Sequence, residues 1–488
     1  MHTDGKLRAA IAGGLATAAG AGAVAAGAIS IAAAVAAAAG VLLTGLLRPK
    51  LLVLLSLLAI VFVDTLQTLT GIEELTYVDE AAVLACLVLL PIARLLSGNA
   101  LRWTPETGWI LGFVVAGIVS GIVLQVEWPV LAEGAFLAVK GVLMAWAIAQ
   151  IDWTERDFSG IVRAVGVLLG LTLVCAVINL VTPTSWVSIV ESGGDVEYRY
   201  GLPSLVGPFS HPSAFGQIAA LGAIAVVAYR ATIAKSVASA VLLIGSLFAV
   251  LFSLRRRLIV GVVASILFVR LKVSRATTAI VSLLVLPPAL IVLWPLLVTS
   301  AEALYEDYFA SESAARTVIT VDSFDVASGY FPLGAGFGRF GSFIAGDQYS
   351  PEYVARDYPL IYGLGNTPER GNRWLTDTQW PAIIGEGGFV GAACYVAALV
   401  VMYWRFRGAW RDETAPWLRC LGLTGVGWTA MMLIDSIASP VFNAAPTFPL
   451  LFTLAAILRS GQAVTRTRLS ETADSVRGGE RPAASPTT

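Results

Sequence analysis

Charge is what this sequence has least of. Of 488 residues only 13% are charged, against roughly one-quarter in an ordinary soluble domain, while 57% are hydrophobic. A soluble globule of this length is excluded. Neither sign dominates: Lys+Arg 32 stand against Asp+Glu 33, so the basic surplus that grips a nucleic-acid backbone is missing. Histidine is nearly lacking too, and with His2 and His211 alone there can be no multi-histidine metal chemistry. The four cysteines, Cys86, Cys175, Cys394 and Cys420, all fall in apolar stretches with no CxxC pair. Neither a disulfide framework nor a zinc site follows, and they read as small packing residues.

What is present is apolar length. Many near-chargeless stretches approach the twenty or so residues that cross a ~30 Å hydrocarbon core, which predicts an all-α polytopic membrane bundle. The Ala/Gly-rich run 9–47 is long enough for two spans in a tight hairpin, and too long for the rival reading, a signal peptide with Lys6 and Arg8 in its basic region. Further spans are expected near 51–66, 81–96, 108–125, 128–149, 158–181, 214–230, 237–252, 258–271, 277–298, 381–404, 418–435 and 446–459. That makes about 12–14 helices. They divide into a block over 1–298 that includes a loop at 183–213, a long loop over 299–380, and a second block over 381–459. The Ser, Thr, Pro, Gly and Arg-rich end, 460–488, reads as a disordered tail.

Basic residues in the short loops orient the chain. Arg48 and Lys50, Arg230 and Lys235, Arg270, Lys272 and Arg275, and Arg405, Arg407 and Arg411 fall on one side, which the positive-inside rule makes cytoplasmic along with both termini. The alternate loops carry Glu73, Glu74, Asp79 and Glu80, then Glu191, Asp195 and Glu197, then 299–380 with eleven acids to five basic residues, so they face outward. That long loop holds fifteen aromatics, among them Tyr305, Tyr308, Tyr330, Tyr349, Tyr353, Tyr358, Tyr362, Trp374 and Trp380. Disorder is not expected of it, and a lid folded over the membrane face, with aromatics that face a ligand, is.

One cluster breaks the charge rule. Arg255-Arg256-Arg257 lies on the outward side at the edge of hydrocarbon, where three adjacent guanidiniums repel one another unless anions pair them. A pyrophosphate suits them, since arginine forks hold phosphate oxygens bidentately; lipid headgroups or the acidic lid are the plainer alternatives. The basic residues of the long loop are all arginine: Arg316, Arg339, Arg356, Arg370 and Arg373. His211 is placed just before a helix by Pro212, as a structural residue or a site residue, with Gln217 as its partner or a sugar contact. Gly334-Ala335-Gly336-Phe337-Gly338 is a turn rather than a dinucleotide fingerprint, because no strand precedes it. Asp377 at the mouth of the next span and Glu386 about two turns inside it are candidate carboxylates, the latter also a candidate helix-to-helix contact.

These pieces, in this order over residues 160–460, resemble the O-antigen ligase and polymerase family of bacterial membrane enzymes. The resemblance is carried by Arg199-x-Gly201 with Phe209-Ser210-His211-Pro212, by Ser253-Leu254-Arg255-Arg256-Arg257, and by Arg316 ahead of Pro332-Leu333-Gly334-Ala335-Gly336-Phe337-Gly338. Asp377-Thr378-Gln379-Trp380 and Glu386-x-Gly388-x-x-Gly391 close it. It implies a GT-C-like helical glycosyltransferase of the cytoplasmic membrane, working on its outer face without metal, nucleotide sugar or other cofactor. The donor would be an undecaprenyl-pyrophosphate-linked oligosaccharide and the acceptor a glycan or lipid, with a flippase or chain-length regulator as further partners. Arg199, Arg255, Arg256 and Arg316 would hold the pyrophosphate, Arg257, Arg373, His211, Gln217 and Trp380 would line the substrate, and Asp377 would position or deprotonate the acceptor. Ligases of the family carry histidine where this chain has Asp377, which favours a polymerase.

Two other classes stay open. A secondary transporter would use the intramembrane Glu133 and Lys140, seven residues apart on one helix face, although no internal repeat is present and the long loop favours an enzyme. A metal-dependent glycosyltransferase would use an early outer carboxylate pair, Glu73-Glu74 or Asp79-Glu80, which read more simply as solvated charge.

Overall fold

Unbroken runs of Leu, Val, Ile and Ala can satisfy their backbone groups in hydrocarbon only as helices, and proline marks where several begin. Pro49, Pro105, Pro183, Pro212 and Pro416 each sit in a first turn, where the missing N–H costs nothing. The computed structural model describes residues 40–191, 194–199, 201–273, 315–368, 371–372 and 374–479. The expected span at 277–298, most of the hairpin expected within 9–47, and Arg370 and Arg373 lie outside them.

In chain order the helices are α1 (Pro49–Val61), α2 (Val63–Thr70), α3 (Val78–Leu96), α4 (Pro105–Val123), α5 (Trp128–Ile148), α6 (Glu155–Val181) and α7 (Pro183–Val190). A minimal hairpin, β1 (Tyr198–Arg199) with β2 (Leu202–Pro203), pairs Tyr198 with Pro203 and Arg199 with Leu202. Then follow α8 (Pro212–Thr232), α9 (Val237–Phe252), α10 (Arg256–Val273), α11 (Ala315–Gly329), α12 (Phe343–Asp347), α13 (Pro351–Val354), α14 (Trp380–Asp412), α15 (Pro416–Asp435) and α16 (Phe448–Gly479). The chain is an all-α polytopic bundle. Among the described residues eight helices are long and apolar enough to cross a membrane, or nine if α1 and α2, bent by 67°, form one broken span.

Two expected spans come out short or charged. The α9 helix has 16 residues, about 24 Å of rise against a ~30 Å core. The α10 helix opens with Arg256 and Arg257 and carries Arg270 and Lys272 near its end. The turn between them therefore falls short of the end of the bundle. A Cβ on Gly216, in the second turn of α8, would meet the Ser253 side chain at 2.6 Å, and the Leu205 N–H donates to the Phe252 carbonyl from above. The turn that leads into Arg255, Arg256 and Arg257 is thus packed against the start of α8 and tied to the segment at 205.

Ion pairs gather at the opposite end, where Lys50 meets Asp157 at 2.7 Å and Arg102 and Arg94 share Asp152. There the disorder expected over 460–488 is corrected as far as Gly479, to which α16 runs on; 480–488 lie outside the described residues. Ser460 accepts from the Trp153 N–H and Gln462 donates to Glu413 at 2.7 Å, so tertiary contacts carry the helix past the point where composition alone would end it. The cysteines are free, with Cys86 and Cys420 buried.

Candidate functional site

The segment 315–379 is anchored to the bundle through a carboxylate. Glu386 in α14 is fully buried, and its Oε1 accepts the N–H groups of Arg339 (2.9 Å) and Phe340 (3.1 Å) and the Ser342 hydroxyl (2.6 Å). The glycine turn 334–338 can approach because nothing but hydrogen fits there: a Cβ on Gly388 would lie 2.3 Å from the Gly334 nitrogen, and one on Gly134 would lie 2.7 Å from that of Gly338. Gly388 takes φ 63° and kinks α14 at this contact. Glu386 is therefore a structural anchor rather than a reacting group.

The aromatic residues of 315–379 mostly serve their own core. Phe340, Tyr353 and Tyr358 are fully buried, with Tyr353 and Tyr358 stacked at 5.2 Å. Buried Glu352 takes Tyr330 (2.7 Å), Arg339 (3.2 Å) and Arg356 (2.7 Å). The expectation that these rings face a ligand is corrected for those residues; Phe324, Phe331, Phe343 and Tyr362 are the large rings left exposed. A small segment outside the main core needs its own apolar interior, and aromatics supply the most area per residue.

Beyond this core the chain turns into α14 through Asp377, Thr378, Gln379 and Trp380. The turn is pinned to the end of α15: the Gln379 N–H donates to the Ser436 carbonyl (3.2 Å), Trp380 Nε1 donates to Ser436 Oγ (3.0 Å), and Gln379 Oε1 accepts from the Phe442 N–H (3.0 Å). Asp377 is left facing Arg316, whose Nε and Nη2 both reach Oδ2, the former at 2.7 Å. Trp374 supports that guanidinium from 4.2 Å. Burial pushes the Asp377 carboxyl above its ordinary range even though Arg316, Arg257 and Arg255 pull it down.

Those same arginines come from separate elements and converge on this end. Arg257 makes an ion pair with Asp435 (Nε to Oδ1 2.8 Å), donates to the Ala438 carbonyl, and reaches Ser213 at 3.4 Å. Asp435 is buried and also receives Gln217 Nε2 at 2.7 Å. Gln217 is thus a partner of Asp435 and Ser439 rather than of His211. Arg255 donates to Glu197 Oε2 at 2.5 Å, and Arg199 donates to Glu197 Oε1 at 2.8 Å. Desolvation and the neighbouring charges of Arg199 and Arg257 lower Arg255 to about 10, which leaves it cationic at neutral pH. Arg256 opens α10, half-buried and turned ~100° from Arg257 on the helix.

His211 caps α8, its Nδ1 accepting the Ser213 N–H at 3.2 Å. Desolvation, reinforced by Arg255, Arg257 and Arg199, lowers its pKa to about 4. The imidazole is neutral at pH 7 with its proton on Nε2, so it presents a donor and not a base.

Beside the Asp377–Arg316 pair lies a cavity of about 210 Å³ lined by Arg316, Thr320, Thr378 and Trp380, with the exposed Val321 and Ile437 among its walls. Its lining is polar at the arginine and apolar away from it, which suits an amphipathic ligand. Sequence reasoning thus located Arg199, Arg255, Arg257, Arg316, Asp377, His211 and Trp380 at one end of the bundle, but missed Asp435 and the part played by Glu197. A carboxylate ending a span opposite an arginine of another span is the signal that marks Asp435.

Lys140 lies apart from this site. It binds Asp79 and Glu80 of α3, the latter at 2.7 Å, while Glu133 is exposed, so the two charges of α5 stand in different surroundings. The same contact takes Asp79 and Glu80 out of consideration as a free carboxylate pair. Among the described residues no group of three or more His, Cys, Asp or Glu is placed to hold a metal ion. No family model matches the chain, and no curated protein does. A functional reading must come from the chain's own residues.

Proposed function

We propose that the chain is a GT-C-like membrane glycosyltransferase that polymerises or ligates lipid-pyrophosphate-linked oligosaccharides on the outer face of a bacterial cytoplasmic membrane. The observation that carries this is the convergence of Arg199, Arg255, Arg257 and Arg316, from three separate places in the chain, on one end of the bundle with Asp377 and a cavity beside them. Lone arginines at membrane depth are costly, and four brought together invite a polyanion. The orientation rests on the basic residues of the opposite loops, which make the arginine end and the long loop 299–380 extracytoplasmic.

In this reading the acceptor hydroxyl attacks the anomeric carbon of the donor, the glycosyl–phosphate bond breaks, and the lipid pyrophosphate leaves with the bonding electrons. The arginines neutralise the charge that develops on the leaving oxygen. Asp377 takes the hydroxyl proton, and burial makes it a stronger base than an exposed aspartate. Aspartate at this position favours polymerase over ligase. The Arg316 pairing must loosen for Asp377 to act, and pyrophosphate oxygens offer Arg316 an alternative partner.

The test is a size profile of surface glycans and lipid-linked intermediates in a deletion strain complemented with wild type, Arg257→Ala or Asp377→Ala. Single repeat units on the lipid carrier and loss of long polymer support polymerisation; full-length polymer retained on the carrier supports ligation. A second reading, an ion-coupled exporter of an envelope precursor, draws on the intramembrane Lys140 with Asp79 and Glu80. A glycan profile unaltered by the deletion would favour it.

A further inference from the structure

The carboxylate of Glu197 is placed differently from the other acids of the site. Its Oε1 receives Arg199 through Nε (2.8 Å) and Nη2 (2.7 Å), and its Oε2 receives Arg255 Nη2 at 2.5 Å. Two guanidiniums divided between two oxygens of one anion is the arrangement a phosphate group adopts between arginines. Asp435 is only 3% exposed and is held by Gln217 as well as by Arg257, so it is a fixed counterion. Glu197 is 39% exposed, and among the described residues its carboxylate is hydrogen-bonded only by the two arginines. Water can therefore receive this carboxylate when another anion takes its place at the arginines.

Its place in the chain explains how it stays nearby. Glu197 precedes β1 and stands two residues from Arg199, so in extended backbone both side chains project to one face. The hairpin turns at Gly201 with φ 74°, and the Ser204 N–H donates to the Glu197 carbonyl at 2.8 Å, fixing the backbone while the side chain remains exposed.

We propose that Glu197 is a built-in occupant of the anion site, a selectivity residue that admits a pyrophosphate headgroup and turns away the singly charged phosphodiesters of surrounding lipids. This rests on the reading of the site given above. A tethered carboxylate competes at an effective concentration of about millimolar or more, whatever ligand approaches. A phosphodiester carries one negative charge, exchanges like for like, and then suffers repulsion from the displaced carboxylate. A pyrophosphate brings more charge and more oxygens than Glu197 can, enough to engage Arg199 and Arg255 together and still outweigh that repulsion. Selectivity of this kind matters at a membrane edge, where anionic phospholipids far outnumber any lipid-linked glycan.

The experiment uses the full chain in nanodiscs and measures binding of inorganic pyrophosphate, in phosphatidylcholine and again in phosphatidylglycerol. For wild type, Kd is expected to be nearly the same in the two lipids. Glu197→Gln is expected to bind pyrophosphate about tenfold more tightly in phosphatidylcholine and to lose that gain in phosphatidylglycerol, whose headgroups now enter the site. Glu197→Asp keeps the charge and should discriminate as wild type does, and thermal melts without ligand check that each variant is folded. Pyrophosphate bound no more tightly by Glu197→Gln, with lipid discrimination intact, would overturn the proposal and make Glu197 a brace for the arginines. If in that case Arg255→Ala still abolishes binding, the reading of the site survives. Binding absent from wild type, or insensitive to Arg255→Ala and Arg257→Ala, overturns both.

Discussion

Asp377 and Glu386 stand nine residues apart, and sequence alone presents both as candidate carboxylates, one at the mouth of a span and the other about two turns inside it. Their surroundings separate them. Glu386 is fully buried and takes two backbone N–H groups and a serine hydroxyl, donors that cannot be withdrawn without undoing the turn at 339–342. Asp377 is half-buried beside a cavity, and its strongest partner is a side chain, Arg316, that can rotate to another anion. A carboxylate held by backbone is architecture, whereas one held by an arginine in a pocket is available for exchange. Which kind a given acid will be depends on what packs above it, and that is settled by chain segments dozens of residues away.

The sharpest way to break this contrast is to remove each carboxylate in turn. Glu386→Ala leaves three buried donors unpaired, and a loss on the order of 3–5 kcal/mol is expected, enough to prevent accumulation of monodisperse protein in detergent size-exclusion profiles. Asp377→Asn should leave the elution profile and melt close to wild type while lowering glycan transfer by about 10²–10⁴. Wild-type chain lengths in that variant would remove Asp377 from the chemistry, and a well-folded Glu386→Ala would remove the contrast itself.

The same distinction explains how much could be read from the sequence. The helices were legible because an apolar run has no other way to pair its backbone in hydrocarbon. Arg255, Arg256 and Arg257 were legible because they violate a charge pattern that the other loops obey. The aromatics of 315–379 were misread because composition records that rings exist and not whether they pack on one another, as Tyr353 and Tyr358 do, or await a ligand. Lys140 was singled out together with Glu133 on its own helix, yet the acids that hold it come from α3, sixty residues earlier, where no local spacing reveals them. Helix beyond 460 was missed because Ser460 and Gln462 are stabilised by contacts to the rest of the bundle rather than by intrinsic propensity.

Between the two extremes lies Asp435, buried like Glu386 yet facing an arginine like Asp377. Its task in the proposed mechanism is to position Arg257, so Asp435→Asn should raise KM for a lipid-linked donor about tenfold while kcat falls far less. A purely structural role would instead lower the amount of folded protein and leave KM unchanged. Gln217→Met, which removes the other side-chain donor to Asp435, should show the same pattern more weakly.

The smallest effect, and the one that reads the electrostatics of the site most directly, belongs to His211. Its folded pKa of about 4 lies below the ordinary 6.5 because desolvation and three arginines disfavour the imidazolium. Below pH 6.5 the unfolded chain takes up a proton that the folded chain refuses, so the contribution of neutral His211 to stability is complete above that pH and is lost as pH falls toward 4. Asparagine can still cap α8 but does not titrate. Melting temperature followed from pH 7.5 to 4.5 should therefore decline less steeply in His211→Asn than in wild type. Adding Arg255→Ala to wild type should shallow the slope as well, because it removes the strongest of the repelling charges; a slope indifferent to both changes would mean that the arginine cluster does not act on the cap of α8 at all.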